Sequence, residues 1–445
     1  HHQLHLDQEW GGWDLGLTAH YTAGSGYYEQ YKPDAELSLY GVTDLVIGDS
    51  AIATGDVIRR RWLDNTYKGV ALNAHRSWDR ISMKWGGGAF NYEGAHFGIP
   101  IWMQYAGSTQ LGARYYSNVG SKTDRYGFAG FTQDWGGGRI RTQLELQGRQ
   151  VIYSIDGTDN DLTQLAVNDR LFFLNPKAGM DWMASPVNRF FASISQGNRE
   201  PVRTDYVDRV TSDKPLPETM TDWELGWEHD REVWSLQAVA FYMRYHNQLV
   251  LTGALNDTGS PIQQNVDRSY RAGLEWSSVW RPKEGVTWQG TATWSLNRID
   301  SFTEILSDYD EGFPTIVEVE HGTTDIAFAP NFTASSVAAY RFWDRSKTDG
   351  RTRGTVEWAA RYVGKQYLDN TSRDSRSLQS YAVQDIRLQW SWERPSGTRV
   401  TFNAFLRNVL NAKYSANGWT YSYLFGGVNA MTTENYVYPQ AGRNG

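Results

Sequence analysis

An all-β fold, an antiparallel transmembrane β-barrel, is predicted by three observations. The chain repeatedly enters a two-residue rhythm in which apolar and polar side chains alternate. Tight turns and long irregular connections alternate between those stretches. Trp and Tyr, 20 and 26 of them against 17 Phe, gather near the stretch ends.

The rhythm is clearest in the second half. Val286, Trp288, Gly290, Ala292 and Trp294 alternate with Thr287, Gln289, Thr291 and Thr293. Ile386, Leu388, Trp390 and Trp392 alternate with Asp385, Arg387, Gln389 and Ser391, and Val400, Phe402, Ala404 and Leu406 with Thr401, Asn403 and Phe405. A strand points successive side chains to opposite faces, so each stretch is a strand wet on one side. Trp and Tyr favour the membrane–water boundary, and many half-wet strands suggest a barrel around a watery lumen.

The tight connections are Gly11-Gly12, Trp78-Asp79, Gly136-Gly137-Gly138, Ser185 to Asn188, Asp230-Arg231, Arg281 to Gly285, Arg345 to Gly350 and Arg394 to Gly397, all rich in turn formers. The long ones span roughly 24–55, 92–120, 155–170, 198–217, 299–322, 365–378 and 408–430. Short turns at one end and long loops at the other form the layout of outer-membrane barrels. Eight tight turns join about sixteen strands, and a total of about twenty-two would match the plugged outer-membrane transporters. No linker interrupts residues 1–445, which are expected to be one barrel domain. The rhythm already runs at His1 and another begins just before Gly445, so both ends are expected to be cuts through a longer protein.

Bulk composition agrees. With 21% charged and 40% hydrophobic residues, no window approaches the run of about twenty apolar residues that a membrane helix needs. Strands of about ten residues, half of them wet, need no such run. The absence of cysteine excludes disulfides, thiolate zinc sites and iron–sulfur clusters. A net charge of -7 argues against a nucleic-acid partner.

Landmark motifs then suggest a family. Lys214-Pro215-Leu216-Pro217-Glu218 is followed by Trp223-Glu224-Leu225-Gly226. Asn265-Val266-Asp267-Arg268 precedes Gly273-Leu274-Glu275. Next come Ala329-Pro330-Asn331-Phe332, then Arg361 to Tyr367 with Asp369-Asn370-Thr371, and Arg407-Asn408-Val409-Leu410-Asn411 with Lys413-Tyr414. Pro439 to Asn444 closes the series. Six such pieces, in this order and at barrel spacing, resemble the TonB-dependent outer-membrane receptors. The resemblance extends more loosely upstream to Tyr27-Tyr28-Glu29-Gln30-Tyr31-Lys32.

The resemblance implies energy-coupled uptake of a scarce nutrient across the outer membrane of a Gram-negative bacterium, a ferric siderophore first. Cobalamin, haem or oligosaccharide are the alternatives within the family, and a passive porin or a rim enzyme those outside it. It implies as partners outer-membrane lipid and lipopolysaccharide, a metal-chelate or similar small-molecule cargo, and the energy-transducing TonB complex, reached through a plug domain that this stretch does not resemble. No catalytic residue, cofactor or resident metal is expected.

Cargo in such barrels binds on inward and loop residues at the outer end. The stretch Asn91–Asn118, read as a loop, offers His96, Trp102, Tyr105, Arg114, Tyr115 and Tyr116. Tyr27 and Tyr28 offer a second aromatic group. Rings beside an Arg can stack on and neutralise an anionic chelate, and the same rings can instead pack the loop or the membrane girdle. Arg59-Arg60-Arg61 is expected near the outer rim, facing lipopolysaccharide phosphate or anionic cargo, or simply solvated.

Other constellations are weaker. His96 and His321 are the histidines expected in long outer loops, where haem receptors place axial ligands. His1, His2 and His5 lack a fourth partner in sequence. Asp156 to Asp161 has the oxygen density of a calcium loop without its bidentate Glu. Ser193 to Gly197 is not a nucleophile elbow, because no Gly stands two positions before either serine.

Overall fold

A computed structural model describes residues 1–43, 45–208, 214–256, 260–310, 315–348, 350–427 and 430–445. Sixteen long strands build an antiparallel sheet: β1 (His2–Trp10), β2 (Trp13–Glu36), β3 (Thr54–Ser77), β4 (Ile81–Met103), β5 (Tyr116–Trp135), β6 (Ile140–Thr158), β7 (Gln164–Ser185), β8 (Asn188–Arg199), β9 (Glu218–Asp230), β10 (Trp234–Leu255), β11 (Pro261–Lys283), β12 (Val286–Ile299), β13 (Phe332–Lys347), β14 (Gly350–Val363), β15 (Tyr381–Glu393) and β16 (Arg399–Leu406). The expected strand number and antiparallel meander are found.

The turns follow from local chemistry. Trp10 pairs with Trp13 across Gly11 and Gly12, whose φ values of 58° and 78° are those of a two-residue hairpin turn that a side chain would strain. Each tight connection expected from the sequence that lies wholly within the described residues is a strand-to-strand turn.

The chain divides into two compact units, residues 1–133 with 143–176, and residues 134–142 with 177–445. In the first, β2 shows how the faces are set. Trp13, Leu15, Leu17, Ala19, Tyr21 and Ala23 occupy one face, and Asp14, Gly16, Thr18, His20 and Thr22 the other. The register carries that division onto β3, where Leu72 and Val70 pair with Leu17 and Ala19, and Asn73 and His75 with Gly16 and Asp14. The apolar face leaves Leu17, Tyr21, Val70 and Leu72 between 40% and 51% exposed, as expected of a surface that meets lipid.

The strands run further than their alternation suggests. β2 and β3 have 24 residues each and β4 has 23, whereas a tilted strand crosses a bilayer in about ten. The surplus continues the ladder past the membrane band. The expected loops 24–55 and 92–120 therefore shrink to residues 37–53 and 104–115. Bulges hide this in the sequence. The register shifts between Lys32 and Ala35, around Pro33, and again beside Pro100, opposite Arg59. A bulge is where a strand tolerates proline.

In the second unit two outer segments carry short strands of their own. Phe302–Asp308 pairs with Thr315–His321, Ser415–Leu424 pairs with Met431–Pro439, and the first and third of these strands run parallel at Ser307 and Asp308.

Candidate functional site

The outer end of the first unit is built on the wet faces of β2 to β5. Alternation splits the arginine triplet. Arg59 and Arg61 share the face of Tyr28 and His96, whereas Arg60 shares the opposite face with Tyr27 and Trp62.

Arg59 is 3% exposed and hydrogen-bonded through all three of its nitrogens. It donates to Gln30 Oε1 at 2.9 and 3.1 Å and to the hydroxyls of Tyr40 and Tyr115 at 3.2 Å. Tyr40 belongs to an apolar cluster with Leu37, Val42, Val57 and Met103, against which Tyr105 and Tyr115 pack. The described residues of the two outer segments, 37–43, 45–53 and 104–115, thus fold on a small core of their own, with Arg59 as its polar spoke. Burial pushes the Tyr115 phenol above its ordinary range, against the nearby Arg59 charge.

Arg61 is different. Its Nε donates to Tyr116 Oη at 3.2 Å, and its guanidinium carbon lies 5.7 Å from the Tyr28 ring centre and 5.9 Å from that of Tyr116. Among the described residues no protein acceptor meets its two terminal nitrogens. It borders a cavity of about 520 Å³ with Gly24, Gly26, Tyr28, Leu63, Asn65, His96 and Tyr116. The glycines are the floor, since no side chain rises from them. A planar cation between two phenol rings, with its fork open to a cavity, suits a flat or branched anion.

The opposite face carries a separate ladder. Arg60 pairs with Glu29 at 3.0 Å and covers the Tyr27 ring at 4.5 Å. Tyr27 meets Trp62 at 4.5 Å, Trp62 stacks on Phe97 at 5.9 Å, and the exposed Arg114 covers Phe97 at 3.8 Å.

The outer segments of the second unit enclose a buried ion cluster. Arg376, 2% exposed, donates to Glu304 Oε1 at 2.5 Å and Asp369 Oδ2 at 2.7 Å. His321 Nε2 lies 2.9 Å from Glu304 Oε2, and Arg373 lies 3.4 Å from it. Asn370, fully buried, accepts from the Ala327 amide and donates to the Leu251 carbonyl. Burial works to raise the Glu304 carboxyl, but the Arg376 hydrogen bond and charge, with His321 and Arg373, hold it below the usual glutamate value. A cavity of about 340 Å³ opens beside the cluster.

Comparison with known proteins fixes the family. Residues 1–409 match the family model described as TonB dependent receptor-like, beta-barrel. The chain belongs to the TonB-dependent receptors. They are transporters rather than enzymes and reside in the outer membrane of Gram-negative bacteria, which locates this wall. No curated protein sequence is detectably similar. Among solved structures, the ferric yersiniabactin uptake receptor FyuA from Yersinia pestis is 12% identical with a TM-score of 0.60 over 99% of this chain and 59% of that one. The siderophore receptor PiuA from Acinetobacter baumannii is 13% identical with a TM-score of 0.65 over 99% and 62%. The copper transporter OprC is 14% identical with a TM-score of 0.66 over 97% and 61%. At these identities the likeness is one of fold, and the chain spans about three fifths of the receptors it matches.

Within this receptor wall the expected site residues separate. Tyr28, His96 and Tyr116 meet at the Arg61 cavity, and Tyr27 borders it although register turns its ring to the other face. Tyr115 touches Tyr116 edge-on at 4.9 Å and, with Tyr105, serves the loop core. Trp102 lies opposite Ile58 on the apolar face, 44% exposed, and Arg114 sits over Phe97 of that face. His96, Trp102, Tyr116, Tyr27 and Tyr28 stand on strands rather than in loops. His321 does lie at the end of an outer strand, but beside Glu304. Among the described residues no group of three His, Cys, Asp or Glu is arranged to hold a metal.

Sequence reasoning left out Arg61 as a single residue, and of the Arg376 cluster it named only His321 and the motif Asp369-Asn370-Thr371. Residue parity would have singled out Arg59 and Arg61. Nothing local marks Arg376 and Glu304, which are 72 residues apart.

Proposed function

We propose that this wall belongs to an energy-coupled receptor that captures a ferric siderophore at the outer end of β2 to β5. The observation that carries the reading is the open fork of Arg61 between Tyr28 and Tyr116 over a glycine floor. Ferric chelates with carboxylate or phenolate donors carry the anionic oxygens that such a fork pairs with, and their ligand arms offer the phenol rings something to stack on. Two of the structural neighbours named above are a ferric yersiniabactin uptake receptor and a siderophore receptor, which supports iron over other cargo. The copper transporter among them keeps the metal open.

Arg59 gives the site its rigidity. Because its donors are spent on Gln30, Tyr40 and Tyr115, it fixes the wall beside Arg61 without competing for cargo. Release inward would require a plug coupled to the TonB complex, and lipid and lipopolysaccharide would surround the apolar face. Both partnerships belong to the proposal.

Equilibrium titration of the purified full-length receptor with ferric chelates of different charge and donor type tests this reading. Anionic chelates should bind, and Arg61→Gln should weaken them selectively. Equal binding of neutral and anionic chelates, unchanged by Arg61→Gln, would sink it.

A further inference from the structure

We infer that the tight-turn end of the apolar face carries seats for the phosphate of an acidic glycerophospholipid, each an arginine laid over a tryptophan. In the second unit they are Arg345 on Trp343 and Arg394 on Trp392, and in the first Arg76 on Trp78. The inference rests on the membrane partnership proposed above, not on cargo capture. It adds where, and by what chemistry, the wall holds lipid.

Register sorts the arginines at this end by face. Trp343 pairs with Gly354, and Gly354 with Trp390. Two residues further on, Arg345 pairs with Thr352, and Thr352 with Trp392. Both rows continue the apolar face of Tyr340, Val356 and Leu388. Arg351, Arg353 and Arg399 stand on the wet face and have carboxylates. Arg351 and Arg353 meet Asp344 at 2.8 and 3.9 Å, and Arg399 meets Glu393 at 2.8 Å.

On the apolar face the arginines have rings instead. The Arg345 guanidinium carbon lies 4.2 Å from the Trp343 ring centre, and that of Arg394 lies 4.5 Å from the Trp392 ring centre. Both arginines are exposed. Among the described residues neither meets a carboxylate or donates a side-chain hydrogen bond. A Cβ on Gly354 would stand 2.7 Å from the Phe342 ring and 2.8 Å from that of Trp390, so these rings close over the glycine and pave the face just inside the arginines. The first unit repeats the division. Arg76 lies 4.9 Å from the Trp78 ring centre and 6.0 Å from that of Trp13, on the face of Leu72. On the wet face Lys84 is held by Glu145 at 2.5 Å.

Tryptophan marks the depth of the membrane–water boundary, and tight turns mark its periplasmic side. A guanidinium that rests on a ring spends no N–H donor on the protein, so its planar fork stays open to two phosphate oxygens. Cations without carboxylates favour a headgroup of net negative charge over a zwitterion, whose ammonium they repel. Two strand spacings, about 10 Å, separate the backbones of Arg345 and Trp392, so each arginine seats a phosphate of its own.

The test is native mass spectrometry of the purified full-length receptor, freed of lipid in neutral detergent and titrated with phosphatidylglycerol or phosphatidylcholine. Phosphatidylglycerol should be retained in preference. Arg345→Gln with Arg394→Gln should weaken that retention about tenfold or more, and Arg345→Lys with Arg394→Lys should keep most of it. Arg351→Gln with Arg399→Gln removes as much charge from the same end of the sheet, but from the wet face, and should leave retention unchanged. Equal retention of the two lipids, an equal loss in the wet-face pair, or a lysine pair as weak as the glutamine pair overturns the seats. Displacement of the lipid by inorganic phosphate also overturns them, since they would then be sites for the free ion. Ferric-chelate titration of the same preparations reads capture separately. Phosphatidylglycerol retained without chelate binding keeps the seats and overturns capture, and the reverse overturns the seats alone.

Discussion

The outer ends of the two units solve one problem in different ways. Chain beyond the membrane band must be ordered without a bilayer around it. The first unit prolongs its strands, as in the 24-residue β2 and β3, and closes the tip with an apolar cluster around Tyr40 and Met103. The one buried cation among its described residues, Arg59, makes neutral hydrogen bonds only. The second unit ties loops from distant parts of the sequence around Arg376, Glu304 and Asp369. Strand extension leaves the Arg61 guanidinium, bonded only to the Tyr116 hydroxyl, beside a cavity, where the proposal places cargo. An ion cluster consumes its charges internally, so the larger density of ionisable groups is the poorer candidate for binding.

The largest effect should come from breaking that cluster. Arg376→Met removes the cation from two carboxylates that are 6% and 3% exposed, and a buried pair that loses one partner costs about 3–5 kcal/mol. Hydrogen exchange of residues 302–308 and 366–378 should rise sharply while β2 and β3 keep their protection. Unchanged exchange would mean the cluster does not hold these segments. Acid should act on the same place. Glu304 has its carboxyl lowered in the folded state, so its contribution is complete above the ordinary glutamate value of 4.5 and is lost as pH falls through the lower folded value. Protection in these segments, taken relative to the intrinsic exchange rate at each pH, should therefore stay flat from neutral pH down to about 5 and fall only below about 4.5. A fall near pH 6 would put another group in control.

Next in size is the open cation. Arg61→Gln removes charge-assisted bonds worth about 1.5–3 kcal/mol, roughly ten- to a hundredfold in affinity for an anionic chelate. Arg61→Lys keeps the charge and loses the planar fork between Tyr28 and Tyr116, so it should recover only part of the loss. Full recovery by lysine would make the site a simple point charge.

Legibility in the sequence followed the range of the interactions. The tight turns, such as Gly11-Gly12 and Arg394 to Gly397, were readable because hairpin chemistry is local. The extensions of β2 and β4 were not, because Pro33 and Pro100 look like loop residues until a paired strand shows them beside bulges. Aromatic residues at the outer end were recognised, but their division between two faces needed a continuous register. The Arg376 cluster was legible only as the motif Asp369-Asn370-Thr371, since its chemistry depends on Glu304 and on the Leu251 carbonyl, 119 residues from Asn370.

The smallest expected effect tests that division of faces most directly. Arg60 is the immediate neighbour of Arg61, carries the same charge and also lies over a tyrosine, at 4.5 Å. If proximity alone governed capture, removing it would matter about as much. By register the Tyr27 ring and the ion pair with Glu29 belong to the opposite face, although Tyr27 borders the cavity, and both Arg60 and Glu29 are partly exposed, at 33% and 47%. A surface pair of this kind is worth about 0–1 kcal/mol. Arg60→Gln should shift chelate affinity by less than about fivefold, with the remaining long-range attraction disappearing at high salt. A loss equal to that of Arg61→Gln and insensitive to salt would place both arginines on one side of the wall, contradicting the register that pairs Arg60 with Glu29 and Arg61 with Tyr28.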